Sequence, residues 1–69
     1  MDKVRVIIRL PKFEIYQNEN TKEWYWRIKV GSDIVASSSE GYKNHSECLK
    51  NVTSVEKHIK YLRENDLIK

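Results

Sequence analysis

The sequence predicts an α+β fold: a three- to four-stranded antiparallel β-sheet followed by one long α-helix. Short runs over the first half of the chain alternate apolar and polar side chains, the period of a half-buried strand. From about residue 45 apolar residues recur instead every three or four positions, the period of an amphipathic helix. Composition sets the scale, since 69 residues at 39% hydrophobic and 33% charged, with two glycines and one proline, describe one small ordered domain.

The first predicted strand is Lys3 to Leu10, with Val4, Val6, Ile8 and Leu10 on one side and Arg5, Ile7 and Arg9 on the other. Pro11, which has no N–H to give to an interior ladder, is expected to end it. A second strand, Phe13 to Gln17, leads into the polar loop Asn18 to Lys22. The third, Glu23 to Val30, puts Trp24, Trp26, Ile28 and Val30 on one face and Tyr25, Arg27 and Lys29 on the other.

Gly31-Ser32-Asp33 turns the chain into a fourth strand, Ile34 to Ser38. A two-residue Gly-Ser loop would align Val35 with the tryptophan face, whereas a three-residue loop would align Ile34 and Ala36 there. The three-residue loop is preferred because it buries two apolar residues. Gly41 supplies a position able to take a positive φ after the serine run.

Asn44 is the predicted N-cap of a helix from about His45 to Glu64, with Glu47 able to reach back in a capping box. Cys48, Leu49, Val52, Val55, Ile59 and Leu62 form its apolar stripe, Lys57, Lys60 and Arg63 suit its C-terminal dipole, and Glu56 and Lys60 are spaced for an i, i+4 pair. The predicted core comprises that stripe from Leu49 to Leu62 with Phe13, Ile15, Trp24, Trp26 and Ile28. Asp66 to Lys69 is a short apolar-centred tail.

Four patches resemble a known family: Phe13-Glu14-Ile15-Tyr16, Trp24-Tyr25-Trp26-Arg27, the run Ile34 to Tyr42, and Cys48 with Asn51-Val52 and Ser54-Val55. In this order and spacing, over about residues 13 to 58, they resemble the YegP-like family of small uncharacterised proteins. The resemblance implies a unit of three strands, one helix and one strand, which as a single copy pairs into a homodimer with one continuous sheet and exchanged C-terminal strands. It brings no catalytic residue and no cofactor. The whole chain is then one domain, with 1–12 as an N-terminal strand extension, 13–64 as the family unit and 65–69 as the tail. Either the N-terminal strand or the short tail is the exchanged element.

A domain this small usually needs a disulfide, a metal or a partner subunit. Cys48 is the single cysteine, so no intrachain disulfide exists. His45 and Cys48 lie one helical turn apart, but His58 is ten residues beyond Cys48, about 15 Å along a helix, so no single ion takes all three. Cys48 reads better as a small buried apolar residue, with both histidines solvated. Ser37, Ser38 and Ser39 lack a nucleophile elbow, and Glu14, Glu23 and Glu40 lack paired geometry. The expectation is a non-enzyme without cofactor or metal, paired with itself.

The net charge is +3, and its excess lies in residues 1–30, where seven Lys/Arg face four Asp/Glu. Arg5, Arg9, Tyr16, Tyr25, Arg27 and Lys29 alternate away from the apolar side, giving a candidate face for nucleic acid or another partner. Glu14 shares that side and counts against the nucleic-acid reading. No apolar run of signal-peptide or membrane-span length occurs, so a cytoplasmic location without a membrane partner is expected.

Overall fold

The computed structural model describes residues 10–68. Three strands, β1 (Pro11–Gln17), β2 (Trp24–Val30) and β3 (Asp33–Ser37), precede one helix, α1 (His45–Glu64). The sheet is antiparallel in the order β1-β2-β3, and α1 packs on the central strand β2. The α+β architecture is therefore as the hydrophobic periods require. The predicted strand from Lys3 lies outside the described residues up to Arg9, and Leu10 belongs to no strand.

Pro11 opens β1, which therefore starts two residues before the predicted Phe13. A proline is tolerated as the first residue of a strand, where no ladder N–H is required of it. The loop after β1 is held by Asn18, whose Oδ1 accepts from the N–H groups of Asn20 (2.8 Å) and Thr21 (3.0 Å). Lys22 completes the reversal at φ 64°, and its N–H donates to the Asn18 carbonyl at 2.8 Å.

The β2–β3 turn corrects the expected register. Val30 pairs with Asp33, so the loop is the two-residue Gly31-Ser32, with Gly31 at φ 62°. A positive φ at the first central position matches a type II′ turn, whose twist suits a hairpin. A bulge opposite Ile28 and Lys29 then takes up Val35, so Lys29 faces Ile34 while Ile28 faces Ala36. Ala36 thus reaches the tryptophan side as expected, but Ile34 does not and stays 56% exposed. The preferred three-residue loop missed the bulge because one extra residue shifts the alternation by the same step as one extra loop residue.

Gly41 does not take a positive φ; Gly31 is the described glycine that does. What requires glycine at position 41 is space, since a Cβ there would lie 2.5 Å from Glu23 Oε1 and 2.8 Å from Tyr25 Cζ. This close approach lets Tyr42 exchange two backbone hydrogen bonds with Trp24, at 2.7 and 2.9 Å, and carries the chain to α1.

Asn44 caps α1, its Oδ1 accepting from the Glu47 N–H at 2.9 Å. The reciprocal bond of a capping box is not formed among the described residues; Ser46 Oγ donates to the same Asn44 oxygen instead. Nor does an ion pair join Glu56 to Lys60. The helix ends at Asn65 in a Schellman motif: Leu67 N–H donates to the Leu62 carbonyl and Asp66 N–H to that of Arg63, with Asp66 at φ 60°.

The core is smaller than predicted. Among the described residues Trp26 and Cys48 are the buried apolar ones, 3% and 0% exposed, whereas Phe13, Leu49, Ile59 and Leu62 are each more than a third exposed. Ile15, Trp24, Ile28, Val52 and Val55 are half-buried. The physical reason is coverage: one helix about 10 Å across lies over one strand of three, and its second half, from Glu56 to Glu64, is exposed throughout.

Candidate functional site

The alternation of β1 and β2 divides the sheet into two chemically distinct faces. The inner face carries Phe13 opposite Ile28 and Ile15 opposite Trp26, and the Phe13 and Trp26 rings stack with centroids 6.4 Å apart. From α1, Asn51 Oδ1 accepts from Trp26 Nε1 at 2.7 Å, and His45 meets Trp24 edge-on at 5.0 Å. His45 is exposed as expected, yet its ring is a packing element. Cys48 lies closed in this layer, and burial pushes its thiol pKa up, which keeps it protonated and unreactive near neutrality.

The outer face brings together the described members of the predicted site. Tyr16 lies directly opposite Tyr25, and their rings stack at 5.8 Å and 19°. The Arg27 guanidinium sits 4.9 Å from the Tyr16 ring centroid, a cation–π contact. Lys29 extends the basic row along β2, facing Lys12 across the ladder. Arg5 and Arg9 lie outside the described residues.

Glu14 is the member whose role the sequence did not specify. Directly opposite Arg27, it accepts the Arg27 Nε–H at 2.6 Å, and Lys12 Nζ stands 3.9 Å from its other oxygen. The hydrogen bond from Arg27 holds the Glu14 carboxyl below its usual range, helped by the charges of Arg27, Lys29 and Lys12, and the same bond raises Arg27. One carboxylate therefore binds the central cation of the face and relieves the like-charge pair Lys12–Lys29. Alternation placed Glu14 on this face, but which cation it meets depends on the β1–β2 register.

A shallow open depression beside the start of α1 is lined by Tyr42, Glu47, Lys50 and Asn51. Burial raises the Tyr42 phenol pKa, with smaller contributions from Glu40 and Cys48. Asn51 was legible as a polar residue three positions after Cys48 on an apolar stripe, but its bond to Trp26 required the helix placement. Among the described residues no three His, Cys, Asp or Glu side chains gather to hold a metal, and no helix is long and apolar enough to cross a membrane.

Comparison with known proteins places this geometry. The domain of unknown function DUF1508 matches residues 20–61, most of the length from β2 to the end of α1. The chain belongs to this family, that of the YegP-like proteins. A curated relative, the UPF0339 protein in ptx operon 5'region of Stutzerimonas stutzeri, is 44% identical over 45 residues, covering 65% of this chain and 40% of the relative. The chain thus spans about two fifths of the length of that relative. No solved structure matches significantly. The family match begins after β1, so Tyr16 and Glu14 of the outer face lie before it, while Tyr25, Arg27, Lys29, Trp26 and Asn51 fall within it. The YegP-like family carries no assigned function.

Proposed function

We propose that this chain is a non-catalytic interaction module that works as a homodimer. The observation that supports the reading is the uncovered apolar surface: every described residue from Glu56 onward is exposed, including Ile59 and Leu62 on the same stripe that buries Cys48. A nine-residue helical half without tertiary cover is marginal on its own. If a second subunit supplies that cover, folding is coupled to association and the thermal midpoint rises with protein concentration. A midpoint independent of concentration across a hundredfold range, chosen around micromolar dissociation constants, contradicts the reading.

The outer face favours a second reading, nucleic-acid binding through Tyr16, Tyr25, Arg27 and Lys29, because it places two aromatic rings beside basic groups. The same geometry restrains it: the tyrosines stack on one another and Glu14 holds Arg27. Fluorescence polarisation over a salt series separates the readings. Nucleic-acid binding demands an affinity that falls steeply with salt and is lost in the Arg27→Ala/Lys29→Ala double variant.

A further inference from the structure

The apolar seam of α1 continues beyond the sheet that uses its first half. Cys48, Val52, Val55, Ile59 and Leu62 follow each other at spacings of four, three, four and three, the seam of a heptad pattern. Cys48 is buried, Val52 and Val55 are half-buried, and Ile59 and Leu62 are 46% and 37% exposed. Among the described residues nothing covers the last two.

We propose that the second half of α1 docks antiparallel on the same segment of a second copy, about a two-fold axis between Ile59 and Leu62. The inference rests on the homodimer reading and names its surface. In this arrangement Ile59 of each helix packs at the level of Leu62 of the other. An isologous contact of this kind must be self-complementary, since each residue that meets a neighbour also receives it.

Charge selects both the occupant and its direction. Along one flank of the seam stand Glu56 and Arg63, both exposed and neither in an ion pair within the described chain; along the other stand His58 and Asn65. In an antiparallel pair the like flanks face each other. Glu56 of one helix then meets Arg63 of the other, and the two-fold axis repeats the pair. The flanking charges of a paired helix set orientation in this way. A parallel pair would cross the flanks and set His58 against Arg63, with no opposite charge. Antiparallel helices also place their opposed dipole ends together.

Sedimentation equilibrium on the full chain and four variants tests the surface. Ile59→Gln/Leu62→Gln removes the seam at exposed positions outside the core around Trp26 and Cys48, whose integrity tryptophan fluorescence reports, and is expected to weaken dimerisation at least tenfold. Glu56→Arg and Arg63→Glu, each alone, place like charges together and are expected to weaken it several-fold. The double reversal Glu56→Arg/Arg63→Glu restores both ion pairs and should return the dissociation constant close to the parent value. A parent dimer unaffected by the Gln variant overturns the seam while leaving the homodimer reading intact. Weakening by the Gln variant without rescue by the double reversal overturns the antiparallel register. A parent chain that is monomeric overturns both the seam and the homodimer reading.

Discussion

The Trp26–Asn51 hydrogen bond joins the sheet to the helix beside the buried Trp26 and Cys48. Trp26 is 3% exposed, so its indole N–H loses its protein acceptor when the half-buried Asn51 side chain is removed. Asn51→Ala is expected to cost about 1–3 kcal/mol, the penalty of an orphaned buried donor, measured as a lower urea midpoint at unchanged slope. A shift of a few tenths would mean that the contact contributes nothing. Glu14 gives a different residue-scale prediction. Its carboxyl is held below the ordinary value of 4.5 in the folded chain, so its contribution to stability is present above that value and disappears as pH falls through the lower, folded value. The parent is expected to lose stability on acidification in that window, and Glu14→Gln to lack that component in denaturant midpoints taken across the window. The side chains of Glu14 and Arg27 are 26% and 35% exposed, so screening keeps the effect modest. Alternation alone put Tyr16, Tyr25, Arg27 and Lys29 on one face. The partners Glu14–Arg27 and Trp26–Asn51 were not legible, because each depends on a register or a helix position set by the rest of the fold.

At the scale of elements, the helix was the most legible part of the chain. Its bounds follow from a capping residue and a sustained apolar period, and the structure places them at His45 and Glu64. Asn44→Ala removes the acceptor of the Glu47 N–H and is expected to destabilise the chain by about 1 kcal/mol, with Asn44→Ser or Asn44→Asp recovering most of it. Thermal melts at one concentration check this, and an unchanged midpoint in the alanine variant would show that Asn44 is not the functioning cap. Strands were legible as types and less so as registers. Pro11 reads as a break in any one-dimensional pattern, yet it begins β1. Val35 reads as a member of an alternating strand, yet it occupies a bulge. In both cases the deciding fact is which backbone groups the neighbouring strand requires.

For the whole molecule, the two faces of the sheet and the overhanging helix point to one conclusion. The described chain closes its apolar layer around Trp26 and Cys48, and leaves Ile34, Val35, Ile59, Leu62 and Leu67 exposed. Composition already indicated a domain short of stabilising cross-links, but it could not show where the deficit lies. The structure locates it at the second half of α1 and along β3, outside the small core. On this account the missing cover is a second subunit. Light scattering coupled to size exclusion at low micromolar concentration tests that claim most directly. It should return twice the 8.3 kDa chain mass across the peak; a uniform 8.3 kDa species would contradict it.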